Sequence, residues 1–162
     1  EVLTPDFNGS VNLIKNVINA GPHVMNHNIE TVRRVFKKVR PKGNYDLSLN
    51  FLSDSKKIKP DLPTKSGMMV GLGETKDEVI ETMKDLRDHQ CDLLTIGQYL
   101  RPSKKHHPII KFYNPREFTE FQNIGLDMGF SHVAAGPLVR SSYHADEQHN
   151  AAVEKLINQI KS

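Results

Sequence analysis

The chain has 162 residues, of which 37% are hydrophobic and 25% are charged, with a formal net charge of +3 and a pI near 9.0. This composition is typical of a globular domain and excludes a disordered chain, and the mild, scattered positive charge does not favour nucleic-acid binding. No apolar run approaches the ~20 residues of a membrane helix. The single cysteine, Cys91, excludes an internal disulfide and a cysteine-only metal site. We expect Cys91 to be a small buried residue in a reducing compartment, either the cytoplasm or, in a eukaryote, the matrix of a mitochondrion or plastid.

Short apolar runs alternate with helical periods along the chain. In chain order they predict a strand at 2–3, a helix at 11–18 capped by Ser10, a strand at 23–28, helices at 30–39 and 44–59, a strand at 64–71, a helix at 76–89, a strand at 92–100, an irregular loop at 101–114, a helix at 115–128, a strand at 131–135 and an exposed helix at 150–160. Strands separated by helices predict an α/β fold with an open parallel sheet of four to five strands. The chain opens inside a strand without an initiator Met, so we expect it to be part of a longer protein.

Polar groups follow the predicted strands where each strand ends. They occur at 26–28, at 71–74, at 98–103 and at 140–144. The carboxyl ends of parallel strands meet at one edge of a sheet, where the loops carry the chemistry. The sequence therefore predicts one shared site at this edge.

The segment 67–74, GMMVGLGE, is glycine-rich. Glycines let a backbone approach a flat or charged ligand closely, and Met69 can cover an aromatic face, but a strand that must turn into a helix needs glycines as well. Asn26 and His27 suit ribose hydroxyls or a carboxylate. For Asn28, a helix cap is the favoured interpretation.

Two further stretches concentrate functional groups. The run Lys104-Lys105-His106-His107 is a poor metal site, because adjacent histidines rarely converge on one ion, and it better suits docking of an acidic partner. The run 140–144, RSSYH, has no G-x-S-x-G turn, which disfavours nucleophilic catalysis. Taken alone, it favours a phosphate or carboxylate clamp led by Arg140.

Taken together, these stretches resemble the lipoyl synthase family of radical S-adenosylmethionine (SAM) enzymes. The resemblance rests on EVLTPDFNG, NHNIETVRRVFKKVRP, PTKSGMMVGLGET, TIGQYLRPSKKHHP and MGFSHVAAGPLVRSSYHAD and on the spacing between them, which together span nearly all of residues 1–149. It implies the C-terminal portion of a partial (β/α)6 TIM-like barrel over 1–149, followed by a helical tail at 150–162. The implied reaction inserts sulfur at C6 and C8 of an octanoyl chain on a carrier-protein lysine. One [4Fe–4S] cluster cleaves SAM to a 5′-deoxyadenosyl radical, and a second, auxiliary [4Fe–4S] cluster supplies the sulfur.

The resemblance also implies roles for particular residues. Ser142, with Ser141 as the weaker alternative, would be the oxygen ligand of the auxiliary cluster, and Arg140 would be a charge partner nearby. An oxygen ligand suits a cluster that must come apart, because it holds iron less firmly than thiolate does. The SAM contacts implied are Gly67, Met69, Gly71 and Glu74 beside the adenine, Asn26, Lys65 and Ser66 at the ribose or amino-acid end, and Gln98 and Tyr99 on the adenine side.

One feature departs from the family: both of its cysteine triplets are missing from this chain. We therefore expect the 162 residues alone to be inactive. The partners implied are an octanoylated lipoyl carrier protein or domain, docked through Arg101, Lys104 and Lys105, and a reductant such as ferredoxin or flavodoxin, with neither nucleic acid nor membrane. Two other functions remain open, namely half of a different radical-SAM or TIM-like enzyme, and a non-catalytic module that docks an acidic carrier domain.

Overall fold

The computed structural model describes residues 1–141, and in this part of the chain five parallel strands form one open sheet. The strands neighbour one another in chain order: β1 (Val2–Leu3), β2 (Met25–Asn26), β3 (Thr64–Val70), β4 (Leu93–Gln98) and β5 (His132–Gly136). The α/β fold with an open parallel sheet is therefore confirmed, and it is consistent with part of a TIM-like barrel.

Five helices connect the strands within the described residues: α1 (Val11–Asn19), α2 (Arg33–Val39), α3 (Tyr45–Ile58), α4 (Lys76–Asp88) and α5 (Pro115–Asp127). Right-handed crossovers between neighbouring parallel strands bring such helices to one face of a sheet. The core lies between the two layers, where Met68 and Val70 of β3 and Ile96 of β4 belong to one buried cluster with helical residues such as Leu52 and Leu86. None of these helices is long and apolar enough to cross a membrane.

Side-chain caps fix where three of the helices begin. Asn44 accepts hydrogen bonds from the first backbone amides of α3. Thr75 and Asn114 each form a capping box, with Glu78 in α4 and Glu117 in α5, so that the predicted box at Thr75 is confirmed. Ser10 occupies the N-cap position of α1, but its side chain makes no capping hydrogen bond.

The largest departure from the predicted elements is at the start of α2. The helix begins at Arg33 rather than at Glu30, because Glu30 has a left-handed backbone with φ of 69°. The Glu30 amide donates to the Gly67 carbonyl at 3.0 Å, and the Glu30 carbonyl accepts from the Met69 amide at 2.8 Å. The backbone of Glu30 therefore continues the pairing with β3 instead of starting a helix.

Cys91 is fully buried, as the sequence predicts, and its thiol donates to the Leu93 carbonyl at 3.3 Å. Burial raises the pKa of this thiol far above its usual range. The helix predicted at 150–160 and the boundary predicted after residue 149 lie outside the described residues.

Glu78 gives α4 a stability that depends on pH. Hydrogen bonds from Arg34 and from the Thr75 amide lower the pKa of Glu78 to about 2. A carboxyl whose pKa is lowered by folding stabilises the folded state above its unfolded pKa of about 4.3, and this contribution is lost as the pH falls to the folded value.

We expect Glu78→Gln to lower the free energy of unfolding at pH 7 by roughly 0.5–1 kcal/mol, because the amide keeps an acceptor for the cap and loses the charge. The difference from wild type should shrink as the pH falls from 5 toward 2 in urea titrations. Glu81→Gln, an exposed change on the same helix, should show little effect. A Glu78→Gln deficit that persisted undiminished at pH 2 would contradict the assignment.

Candidate functional site

The two faces of the sheet carry different side chains. Met68 and Val70 of β3 point into the helical core, so Lys65, Gly67 and Met69 lie on the opposite, inner face. The strand register places Gly67 beside Thr95, and Met69 beside Gly97 of β4. Small and polar residues therefore meet near the carboxyl end of the inner face.

A cavity of about 220 Å³ opens at this place. This volume is below the roughly 300–1,000 Å³ of a typical small-molecule site, so the cavity suits one part of a larger ligand. The predicted residues that line it are Gly67, Met69, Gln98, Arg140 and Ser141, and they are joined by Asn28, Glu30, Met68, Thr95, Gly97, Leu100 and Val139.

Gly67 forms a part of the cavity wall that no other residue could form. A Cβ at this position would lie 2.8 Å from both Asn28 Oδ1 and Thr95 Oγ1, closer than unbonded atoms can approach. Asn28 Oδ1 is itself buried and has no hydrogen-bond partner among the described residues. A buried acceptor without a partner costs stability, and this one belongs to a residue that lines the cavity.

Opposite charges border the same cavity. Arg40 binds the Glu30 carboxylate, with 3.0 Å between Nη1 and Oε1. Burial raises the pKa of Glu30, although Arg40 and the Asn28 side chain favour its charged form. Arg140 is exposed, donates from Nη1 to the Val139 carbonyl at 2.7 Å, and forms no ion pair within residues 1–141. The cavity therefore offers a carboxylate and a guanidinium next to apolar surface from Met69 and Leu100.

The Gln98 amide joins the cavity to the long loop that follows β4. Its Nε2 donates to the carbonyls of Tyr99 and Lys111, and its Oε1 accepts from the Tyr113 amide at 3.0 Å. Gly71, with φ of +106°, passes so close to this amide that a Cβ there would overlap Gln98. Gln98 and Gly71 thus shape the edge of the site.

Asn26 and Lys65 share a partner on the inner face. The Lys65 ammonium, which is fully buried, lies 2.8 Å from Glu1 Oε2, and Asn26 Nδ2 donates to Glu1 Oε1 at 2.7 Å. Asn26 Oδ1 is buried without a hydrogen-bond partner in the described part of the chain. Neither side chain lines the cavity around Gly67.

Ser66, Tyr99 and His27 hold neighbouring elements together. Ser66 Oγ accepts from the Ile29 amide, and the Tyr99 hydroxyl donates to the His107 carbonyl at 2.9 Å. The His27 ring bridges the Thr4 carbonyl and Ser48 Oγ, and burial lowers its pKa. The structure therefore gives these three residues structural contacts outside the cavity.

Glu74 closes the turn that follows β3. Its carboxylate accepts from the amides of Gly71 at 2.6 Å and Leu72 at 2.8 Å, and the residue is buried. The nearby Tyr113 has a raised pKa because of its burial and because of this carboxylate. Glu74 thus acts on the backbone that borders the site.

Several lining residues escape a reading of the sequence alone. The sequence favours a helix cap for Asn28 and a helical start for Glu30, and its local pattern does not distinguish Thr95, Gly97, Leu100 and Val139 from their neighbours. The signal for Asn28 was its spacing, since residues two apart on an extended segment share a face, as Asn26 and Asn28 do. The register that brings Thr95 beside Gly67 cannot be read from either strand by itself.

No group of three or more His, Cys, Asp or Glu side chains among residues 1–141 could hold a metal ion. Ser142, predicted as the ligand of an iron–sulfur cluster, lies outside the described residues. Ser141 is described and borders the cavity.

We expect Glu74→Gln to lower the free energy of unfolding by about 1–3 kcal/mol, because the amide nitrogen that replaces one oxygen leaves a buried N–H without an acceptor. Urea unfolding at pH 7 measures the change. Asp77→Asn, an exposed carboxylate-to-amide change in the first turn of α4, should cost less, because it loses only the interaction of its charge with the helix N-terminus. Equal stabilities for the two variants would show that the turn does not depend on Glu74.

Two curated lipoyl synthases are similar to this chain over most of its length. The chain is 57% identical to a lipoyl synthase of Shouchella clausii over 152 residues, which are 94% of this chain and 49% of that protein. It is also 57% identical to a lipoyl synthase of Bacillus cereus strain G9842 over 155 residues, which are 96% of this chain and 52% of that protein. The chain thus spans about half the length of the curated relatives it matches. The model of the radical SAM superfamily matches residues 1–86, and the chain therefore belongs to that superfamily.

Proposed function

We propose that this chain is part of a lipoyl synthase, which inserts sulfur at C6 and C8 of an octanoyl chain carried on a protein lysine. The observation that carries the proposal is the 57% identity to lipoyl synthases across 94–96% of the chain, which includes the residues around the cavity. The activity belongs to the full-length protein, because the chain spans half of these relatives.

The cavity fits a part of SAM on two observations. Gly67 brings the β3 backbone to the cavity wall at a place where the Asn28 and Thr95 side chains exclude any Cβ, and Asn28 Oδ1 offers an unused acceptor beside it. An amino or hydroxyl group of the adenosyl half would satisfy that acceptor, and Met69 would cover an apolar face. When bound, SAM supplies the radical chemistry that removes hydrogen from the acyl chain.

Other residues of this chain would orient the cofactor rather than react. Glu30 holds a carboxylate at the cavity with Arg40 behind it, and Arg140 holds a positive charge at the same cavity. Gln98, Gly71 and Glu74 would act indirectly, because their contacts set the shape of the backbone around the cavity. The SAM contacts that the resemblance implies for Asn26, Lys65, Ser66 and Tyr99 stay a prediction.

The described residues do not fit an iron–sulfur cluster. Cys91 is the one cysteine in the sequence and it is buried, so the thiolate ligands of both proposed [4Fe–4S] clusters would come from outside this chain. Ser142 stays a proposed oxygen ligand of the auxiliary cluster on the strength of the resemblance. We further propose an octanoylated carrier as substrate, a ferredoxin- or flavodoxin-type reductant, and a cytoplasmic or organelle-matrix location.

The role proposed for Asn28 predicts a clear loss of SAM binding beside a small loss of stability, because the Asn28 side chain also bonds the Glu30 carboxylate. We expect Asn28→Ala in the full-length protein to weaken SAM binding by roughly 2- to 12-fold, the equivalent of one lost neutral hydrogen bond of about 0.5–1.5 kcal/mol. Isothermal titration calorimetry under anaerobic conditions measures the affinity, and urea unfolding measures the stability.

Thr31→Val is the matched control for Asn28→Ala. Thr31 Oγ1 is another buried atom without a partner in the described residues, but Thr31 does not line the cavity. This variant should bind SAM as wild type does. If Asn28→Ala unfolds more easily and binds SAM normally, the Asn28 amide is structural and this part of the proposal is wrong.

The role proposed for Ser142 separates two steps of the reaction. We expect Ser142→Ala in the full-length protein to leave 5′-deoxyadenosine formation within a few fold of wild type and to reduce the lipoyl product by at least tenfold. In reactions with an octanoyl-lysine peptide as substrate, chromatography coupled to mass spectrometry measures the 5′-deoxyadenosine that is released and the lipoyl peptide that is formed. Ser141→Ala is the control, and it should affect the lipoyl product less. Parallel loss of both products in Ser142→Ala would argue against a cluster ligand, and a wild-type protein that forms no lipoyl product would overturn the proposed function.

A further inference from the structure

The loop between β4 and α5 (residues 99–114) combines positive charge with exposed apolar side chains. It contains Arg101, Lys104, Lys105 and Lys111, and there is no acidic residue between Gln98 and Glu117. Leu100 is 49% exposed, Ile110 is 59% exposed and Phe112 is 68% exposed. Several exposed apolar side chains on one loop, with an aromatic ring among them, are typical of a surface that binds another molecule.

Hydrogen bonds hold this loop in one shape. Gln98 binds the backbone of Lys111 and Tyr113, and the Tyr99 hydroxyl binds the His107 carbonyl. The Ile110 amide donates to the Gly71 carbonyl at 2.8 Å. Ile110 and Phe112 are therefore displayed on a backbone that is fixed to β3 and β4, which lowers the entropy lost when a partner binds.

The cations of the loop are not equivalent. The Arg101 guanidinium donates to the backbone carbonyls of His106 and Lys104, so it closes the loop on itself. The Lys111 ammonium pairs with Glu117 and lies 4.0 Å from the centre of the Tyr113 ring. Lys104 and Lys105 are exposed, and no salt bridge involves them within the described residues. These two lysines supply the unpaired charge, whereas Arg101, predicted above to dock the carrier, supports the loop.

We infer that Ile110 and Phe112, together with Lys104 and Lys105 of the same loop, form the docking surface for an acidic protein domain that carries the acyl chain. This surface is the carrier-docking face, and the inference rests on the proposed function. Charge complementarity selects an acidic partner. Continuity with the site selects the acyl carrier, because Leu100, at the start of the same loop, lines the cavity. A domain seated on the loop would present its acylated lysine arm toward that cavity.

The two kinds of residue should leave different signatures on binding. Buried aromatic anchors act mainly on the dissociation rate, whereas rim charges act on the association rate and are screened by salt over ~8 Å at physiological ionic strength. In the full-length protein, we expect Phe112→Ser to weaken binding of the octanoylated carrier domain by at least tenfold at every salt concentration. We expect the Lys104→Glu, Lys105→Glu double variant to weaken it at low salt, with the difference from wild type shrinking as salt is raised.

The experiment measures carrier binding by surface plasmon resonance from 20 to 500 mM NaCl, together with turnover of the carrier and of a short octanoyl-lysine peptide. Phe112→Ser should raise the KM for the carrier and leave turnover of the peptide unchanged, because the peptide has no domain to dock. Leu126→Ser is the matched control. Leu126 is 45% exposed near the end of α5, at the edge of the sheet where the strands begin, and this variant should bind the carrier normally.

Four outcomes would overturn the inference. Equal loss of carrier and peptide turnover in Phe112→Ser would place Phe112 in the acyl site. A lower melting temperature with unchanged carrier binding would show that another segment of the full-length chain covers the loop. A shift in oligomeric state on size-exclusion chromatography, again with unchanged carrier binding, would assign the loop to a second copy of the protein. Carrier binding, turnover and stability of Phe112→Ser that all equal those of wild type would remove the docking role.

Direct binding is measured apart from turnover. A wild-type protein that binds the carrier but forms no lipoyl product would therefore contradict the proposed function and leave the docking surface standing.

Discussion

The site depends most directly on the buried amide of Gln98. Each polar atom of this side chain is used: the nitrogen binds the carbonyls of Tyr99 and Lys111, and the oxygen binds the Tyr113 amide. The same side chain lines the cavity. One amide therefore fixes the distance between the cavity and the exposed loop, and a hydrophobic substitute would leave three backbone groups without a partner. Gln98, the last residue of β4, therefore sets how far the proposed cofactor cavity lies from the proposed carrier-docking face.

A buried ion pair lies on the same inner face of the sheet as the cavity, beside β1, β2 and β3. Lys65 is fully buried, and its ammonium contacts Glu1, which also accepts a hydrogen bond from Asn26. Loss of one partner from a buried pair typically costs ~3–5 kcal/mol, because the other charge remains without compensation. The pair therefore ties β1, β2 and β3 together on the face that bears the cavity, where the apolar core cannot reach.

Most of the fold could be predicted from the sequence, because helices and strands follow local patterns. Periodicity located α3, α4 and α5 to within two residues, and the alternation of strands with helices predicted the parallel sheet. The site was only partly predictable, because it depends on which residues meet across strands. The left-handed backbone of Glu30 arises from its pairing with Gly67 and Met69, and the helical pattern around it hides this pairing. The sequence of the loop indicates that Arg101 is a free surface cation, whereas the structure shows that its guanidinium binds the backbone of the same loop.

The burial of Cys91 has a practical consequence for labelling. Thiol reagents attack the thiolate, and a fully enclosed sulfur whose pKa is raised by burial offers them neither access nor charge. A cysteine introduced on the loop after β4 would therefore be the reactive thiol of this chain, without prior removal of the native one. A fluorophore or spin label placed there would report on the arrival of a partner against a silent background from the rest of these residues.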